Sequence, residues 1–314
     1  MKLVSYKIKG TPGPLRMGFS LDDKGKIVDL QETWRQMQLN RQDRDSVDVT
    51  ETSFPSNPDQ FFAGGNRLIK QAMDVMAFAA ANNIDDNGYN RDDVYLATPV
   101  SSPSKIICVG KNYAAHAAEM QSDVPDYPVL FAKFANALVG PEDMIEKPDF
   151  VRKLDYEAEL TVVIGKEASN IKREEALDYI AGYTIGNDSS ARDLQKRTPQ
   201  WLQGKTLDRS TPIGPWVVTA DEVGDPGQLS INAYVNGEVR QAATTEQLIF
   251  DVPFLIEFIS SLITLKPGDL IMTGTPDGVG MGMDPQQFLK DGDHVTVEID
   301  KIGQMANKVK ELKS

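Results

Sequence analysis

Leu154-Asp155-Tyr156-Glu157-Ala158-Glu159-Leu160 alternates apolar and acidic residues, then runs on into the apolar Thr161-Val162-Val163-Ile164-Gly165. In a strand, residues i and i+2 share a face. The alternation therefore predicts Asp155, Glu157 and Glu159 in one row, with Leu154, Tyr156, Ala158 and Leu160 opposite. Three carboxylates in a row repel one another unless solvent or a cation lies between them. Two readings follow. Either this is the solvated face of an edge strand, or it holds a hard cation such as Mg²⁺ or Mn²⁺, which takes one or two carboxylates and leaves positions open for substrate.

Strand signals continue on the C-terminal side. Asn236-Gly237 separates Ser230–Val235 from Glu238-Val239-Arg240-Gln241, the strongest short hairpin signal, and Asp293 to Ile299 alternates through His294, Val295, Thr296, Val297 and Glu298. Helices are expected from Asp251-Val252-Pro253, a cap followed by proline, to about Leu262, and over Lys172 to Ile180. Lys266-Pro267-Gly268-Asp269 and Lys290-Asp291-Gly292-Asp293 read as turns leading into strands. Toward the N-terminus, Gly18–Leu21 and Gly25–Leu30 predict strands around an Asp22-Asp23-Lys24 turn. A helix follows from about Asn66 to Asn82, with Leu68, Ile69, Ala72, Met73, Met76 and Ala80 at helical spacing. Ala97-Thr98-Pro99 to Ser104 has linker composition. The expected organisation is a small N-terminal α+β domain over 1–98 and a β-rich α+β domain over 99–314.

The 314 residues are 40% hydrophobic and 25% charged, which excludes disordered and low-complexity classes. The net charge is −13, and it is uneven. Residues 1–100 carry 12 basic and 14 acidic side chains, so the rest carry 33 − 12 = 21 against 46 − 14 = 32, a net of −11. An acidic chain repels phosphate backbones and anionic lipid, so neither nucleic acid nor membrane is an expected partner. The opening Met1–Tyr6 lacks a signal peptide's apolar run, and Val252–Leu265 falls short of a membrane span. A cytoplasmic location is expected. A lone cysteine, Cys108, permits no internal disulfide and reads as core behind two isoleucines.

Three further segments carry candidate chemistry. Gly182-Tyr183-Thr184-Ile185-Gly186-Asn187-Asp188 is an apolar strand that delivers Asp188 at its end, as a helix cap or as another carboxylate ligand. Lys105–Gly110 is a buried strand, after which Asn112 is placed to cap a short helix carrying His116 and Glu119 at i, i+3. That pair is a surface salt bridge, or an imidazole oriented and made more basic for general-base work. The only other histidine, His294, reads as structural. Asp269–Met272 runs into Thr273-Gly274-Thr275-Pro276-Asp277-Gly278-Val279-Gly280. This loop fits neither G-x-G-x-x-G nor a P-loop. It is a tight turn, or a source of backbone N–H groups and the Thr275 hydroxyl for a bound carboxylate.

Taken in order, Val109-Gly110-Lys111-Asn112-Tyr113 with His116 and Glu119, Asp155–Leu160, Asn187-Asp188 with Ala191–Gln195, Gly204-Lys205, Val235–Glu238 and Thr273–Gly280 resemble the fumarylacetoacetate hydrolase superfamily over residues 100–310. The resemblance is to two-domain members related to acylpyruvate hydrolases and oxaloacetate decarboxylases. It implies a mixed β-sandwich roll, a homodimer, and one Mg²⁺ or Mn²⁺ per subunit on Glu157, Glu159 and Asp188, with Asp155 behind the ligands or solvated. It further implies His116, Glu119 and Lys205 as catalytic groups, with Arg192, Gln195 and Thr275 contacting a small 2-oxo or 2,4-dioxo acid. The activity implied first is hydrolysis of a C–C bond in a 2,4-dioxo acid through a metal-stabilised enolate. Oxaloacetate decarboxylation, or isomerase or hydratase chemistry on a related 2-oxo acid, is the alternative, and a non-catalytic ligand-binding or assembly role comes last. The polar segment from His116 to Pro128 has the composition of a lid.

Overall fold

The computed structural model describes residues 1–20, 26–84 and 88–313. Among these, strands Val28–Asp29, Arg16–Ser20, Lys2–Ile8, Thr211–Thr219, Ile180–Asn187, Ala158–Ile164, Leu270–Met272, Ile106–Gly110 and Val129–Lys133 lie side by side in that order. Val94–Ala97 adds to Lys2–Ile8, and Leu138–Val139 to Thr211–Thr219, making eleven strands. Most neighbours are antiparallel, but Leu270–Met272 runs parallel to Ile106–Gly110, so the sheet is mixed. A second sheet orders Glu238–Thr244, Ser230–Val235, His294–Ile299, Gly303–Leu312 and Ile145–Pro148. The fold is the strand-rich α+β arrangement expected.

The large sheet is covered on both faces, and its alternation shows by what. Leu160, Val162 and Ile164 join a core with Ile231, Ala233, Val297 and Ile299 of the second sheet and with Leu255 and Ile259 of the helix Val252–Leu262. Val163, Ala181 and Val217 point the other way, into a core with Leu68, Ala72 and Val75 of the helix Gly65–Ala81. A strand buried on both faces needs a continuous apolar run, and Ala158–Ile164 is buried throughout.

Local signals explain the elements near the site. The hairpin forms at Asn236-Gly237, both with positive φ (53° and 84°), as its turn requires. Asp251 caps the Val252–Leu262 helix by accepting from the Phe254 amide at 2.9 Å. The predicted helix over 172–180 is a 3₁₀ segment, Arg173–Tyr179.

The N-terminal region is more helical than its sequence predicts. Leu30 starts the helix Leu30–Asn40 instead of ending a strand, because Asp29 accepts from the Glu32 amide at 2.8 Å while Leu30, Trp34 and Met37 bury one helical face. The Asp22–Lys24 turn lies outside the described residues. The expected boundary at 98 follows strand Val94–Ala97, yet hydrogen bonding continues across it, since Lys2–Ile8 pairs with Thr211–Thr219 in register Lys2↔Val218. No helix among the described residues is long and apolar enough to cross a membrane.

Candidate active site

The acidic stretch is not one uninterrupted strand. Leu154–Asp155 pairs with Ser190–Ala191, and Ala158–Ile164 pairs with Ile180–Asn187 in register Ala158↔Asn187. Between them the Glu157 amide donates to Asn187 Oδ1 at 3.0 Å, and the Glu157 carbonyl accepts from the Asp188 amide at 2.9 Å. This crossover replaces the single row of three carboxylates. It turns Glu157 and Glu159 toward Asp188 and sends Asp155 elsewhere. None is solvated: all four are buried.

Asp155 is a structural anchor, which corrects the solvated alternative. It accepts from the amides of Gly280 (2.7 Å) and Met281 (3.0 Å) and from Arg192 Nε (2.9 Å). Burial raises its pKa and Arg192 pulls against that. Asp188 caps no helix, since the following helix, Arg192–Gln195, starts after Ala191. Its carboxylate instead accepts from Lys133 and Lys205, each at 2.6 Å.

Ligand oxygens of Glu157, Glu159 and Asp188 all lie within 4.8 Å of one another. The surrounding charge is unbalanced. Four acids, Asp155, Glu157, Glu159 and Asp188, face three bases, Lys133, Arg192 and Lys205. Burial favours the neutral form of Glu157, yet Arg192, Lys205 and His116 together hold its carboxyl below the usual range. Lys205 loses stability as a cation through burial, but Asp188 and Glu157 more than restore it. Glu159 has no cation within ion-pair distance among the described residues. Its one hydrogen bond comes from the Gly274 amide at 2.9 Å. Burial, then Asp188 and Glu157, push its pKa well above the ordinary value. A buried carboxylate short of positive charge, beside two others offering hard oxygen donors, fits a divalent cation.

His116 sits on the helix Ala114–Glu119, its Nδ1 3.1 Å from Glu119 Oε2. The pair is not a surface salt bridge: His116 is buried, and the other oxygen of Glu119 accepts from the Gly278 amide at 2.9 Å. Asn112 does not cap this helix. Its side chain donates to the carbonyls of Phe250 (2.9 Å) and Thr273 (2.7 Å) and accepts from the Phe250 amide (2.8 Å), fixing the turn that leads into the helix.

The Gly/Pro loop does present backbone N–H groups to carboxylates, but they are the chain's own. Gly274 serves Glu159, Gly278 serves Glu119 and Gly280 serves Asp155. Gly278 has φ +97°, and a Cβ there would lie 1.9 Å from the Arg240 carbonyl oxygen, so only glycine fits. The Thr275 hydroxyl accepts from Gln241 Nε2 at 2.8 Å and remains at the cavity wall.

These groups surround one cavity of about 70 Å³. Of the residues singled out in the sequence, His116, Glu157, Glu159, Asp188, Arg192, Gln195, Lys205 and Thr275 line it, and Glu119 stands behind His116. Gln195 accepts from Arg192 Nη1 at 3.1 Å. Sequence reasoning assigned no role to Lys111, Val109, Met120, Phe131 or Trp201, which line the cavity, or to Lys133, which bonds Asp188 from behind it. Lys133 had a signal: it closes the run Val129-Leu130-Phe131-Ala132 at the same strand parity as Phe131, where a solvated lysine is out of place. Trp201 had none, because it packs edge-on against Phe131 (5.3 Å between centroids) from a stretch without periodicity. Cys108 is buried as expected, its thiol pKa raised by burial, and His294 lies outside the cavity on an exposed strand face. After Glu119 no regular structure forms until Val129, and Tyr127 stacks on Phe258.

Residues 105–310 match the fumarylacetoacetate (FAA) hydrolase C-terminal family. The chain is 39% identical to the mitochondrial oxaloacetate tautomerase fahd2 of Xenopus laevis over 313 residues, covering 98% of this chain and 90% of that one. It is also 39% identical to the oxaloacetate tautomerase YisK of Bacillus subtilis, over 93% of this chain and 95% of that one. Among solved structures it resembles a fumarylacetoacetate hydrolase from Exiguobacterium antarcticum (TM-score 0.78, 35% identity, 99% and 100% coverage). It likewise resembles a maleylpyruvate hydrolase from Sphingobium sp. SYK-6 in complex with manganese(II) and pyruvate (TM-score 0.75, 30% identity, 100% of both chains).

Proposed function

This chain belongs to the fumarylacetoacetate hydrolase family, and from that premise we propose that it interconverts the enol and keto forms of a small 2-oxo acid of the oxaloacetate type. The observation that carries this reading is buried His116, oriented by Glu119, lining with three carboxylates a cavity of only about 70 Å³. Drug-sized ligands occupy several hundred Å³, so the space suits a small acid. The sequence alone put C–C hydrolysis first. The tautomerase names of relatives spanning nearly the whole chain reverse that order.

Enol-to-keto conversion moves the enol O–H proton away, delivers a proton to C3, and turns the C2–O bond into a carbonyl. With Nδ1 engaged by Glu119, His116 keeps Nε2 to take or give the proton at C3. Lys205 carries the positive charge that would steady the enolate oxygen. Glu157, Glu159 and Asp188 would hold Mg²⁺ or Mn²⁺, which supplies Lewis-acid stabilisation of the same charge. Arg192, Gln195 and Thr275 are assigned to orienting the acid, and the apolar wall to excluding water. Division at residue 98, a homodimer, a cytoplasmic location and a lid over 116–128 remain parts of this proposal, supported by composition and family resemblance.

Hydrolysis of a 2,4-dioxo acid is the second reading. It is favoured by the likeness to a hydrolase carrying manganese and pyruvate, and by a histidine–glutamate pair suited to activating water. The test mixes freshly dissolved enol-oxaloacetate with magnesium-loaded protein, following loss of enol absorbance while a lactate dehydrogenase couple reports pyruvate. Enol loss far above background without pyruvate supports tautomerisation. Pyruvate from acetylpyruvate, with no effect on the enol, overturns it in favour of hydrolysis.

A further inference from the structure

Lys111 is the cation of the cavity wall that the site leaves uncommitted. Lys205 is held by Glu157 and Asp188, Arg192 by Asp155 and Glu157, and Lys133, behind the wall, by Asp188. Lys111 lines the same cavity, only partly buried, and among the described residues it has no acidic partner. Its backbone is unusual too. It adopts φ +57° directly after strand Ile106–Gly110, a conformation that a residue with a Cβ seldom takes. The next residue holds it there: Asn112 is bonded through its side chain to Phe250 and Thr273, and its carbonyl accepts from the Ile249 amide at 2.8 Å. Non-glycine residues kept in this region cluster at functional sites.

Charge accounting then distinguishes two kinds of substrate. A 2-oxo acid anchored through its first carboxylate and keto oxygen at the acidic cluster points its far end at the remaining wall. That wall offers Val109, Met120, Phe131, Trp201 and one unpaired cation. An acyl tail would need only the apolar side chains. A second carboxylate, taken out of water into this cavity, needs a cation that no protein acid already uses.

The geometry points to Lys111 as the residue that recognises the remote carboxylate of a short dicarboxylic 2-oxo acid and selects it over monocarboxylic acyl analogues. The assignment rests on the 2-oxo acid reading above and adds the residue that recognises the acid's second carboxylate. Lys111 is a specificity residue here and moves no proton.

The test measures binding by calorimetry to magnesium-loaded protein, so it does not depend on turnover. Two probes are compared: oxalate, which offers the cluster two oxygens and nothing beyond, and 3,3-difluoro-oxaloacetate, a dicarboxylate that cannot enolise. Lys111→Met should weaken the dicarboxylate by about 10–100-fold, the loss expected for one charge-assisted contact. Oxalate should stay within about twofold, which also shows that the variant is folded. Lys111→Arg should recover most of the lost affinity. Equal weakening of both probes, no weakening of either, or failure of Lys111→Arg to recover any affinity overturns the assignment. Unmodified protein that binds oxalate but not the dicarboxylate overturns it while leaving the 2-oxo acid site in place. Unmodified protein that binds neither overturns that reading, and this assignment with it.

Discussion

Adjacent residues, Tyr156 and Glu157, line two different concavities. On one side lies an open cleft of about 650 Å³ beside the hairpin end, lined by Lys147, Arg152, Arg240, Phe288, Lys290 and others. On the other lies the cavity of about 70 Å³ that holds the acidic cluster. Tyr156 faces the cleft, while its neighbour Glu157 faces the cavity. The larger space has the weaker case for chemistry. Arg152 and Lys290 are exposed and screened by water, while Arg240 pairs with Glu238 and Lys147 with Glu311. In the small cavity the same kinds of charge are buried and paired with one another, and one carboxylate, Glu159, lacks a cation among the described residues. Volume follows how loosely the surface packs. Reactivity follows how few waters and counter-charges remain.

That contrast is broken most directly by taking away the cation. Exhaustive chelation should abolish turnover, with Mg²⁺ or Mn²⁺ restoring it, and Glu159→Gln should prevent the restoration by losing metal affinity, read by calorimetry. In metal-free protein the same variant removes a buried carboxyl whose ionised form has no cation beside it. Its melting temperature should rise at pH values where the wild-type carboxyl would ionise, by about 1.5 °C for each kcal/mol gained. A fall would mean that Glu159 is already neutralised by groups in the chain.

His116→Ala should lower kcat by about 10²–10⁴-fold, the usual share of a general acid or base. A change confined to KM would reduce the histidine to a binding group. Lys205→Ala should cost on the order of 10²–10³-fold in kcat, as loss of one group stabilising an oxyanion does. Glu157 and Asp188 would each lose one of two cations, keeping Arg192 and Lys133, so metal-free stability should also fall.

Asp155→Ala acts through structure, since it leaves Arg192 Nε and the amides of Gly280 and Met281 without their acceptor. Breaking a buried pair this way costs about 3–5 kcal/mol, visible in a denaturant midpoint even where metal affinity survives. The smallest effect belongs to the cleft. Arg152→Ala with Lys290→Ala should change stability by within about 0.5 kcal/mol and leave turnover nearly unaltered. A large loss of activity would make the cleft part of the site.

Much of this molecule was open to reading in one dimension. The apolar run through Ile164, the Asn236-Gly237 hairpin, the helix over 65–81 and the Asp251 cap are local. Each is set by side-chain periodicity, or by a backbone conformation that few residues adopt. The site residues were named by their order along the chain, through likeness to a family. Their chemistry was ambiguous at that level, because an acidic row can be solvated and a His–Glu pair can sit on a surface.

Tertiary structure settled what local pattern left open. Asp155, Glu157 and Glu159 share one spacing, yet the crossover at Tyr156-Glu157 makes the first an anchor and turns the other two toward Asp188, about thirty residues away. Lys133 and Lys111 are both lysines on an apolar background. Only the fold shows that one is held by Asp188 and the other is uncommitted. Sequence determined which residues prefer strand, helix or turn, because those preferences act over a few bonds. Burial and charge balance are sums over neighbours distant in the chain, so the fold alone decided which carboxylate would be left short of positive charge.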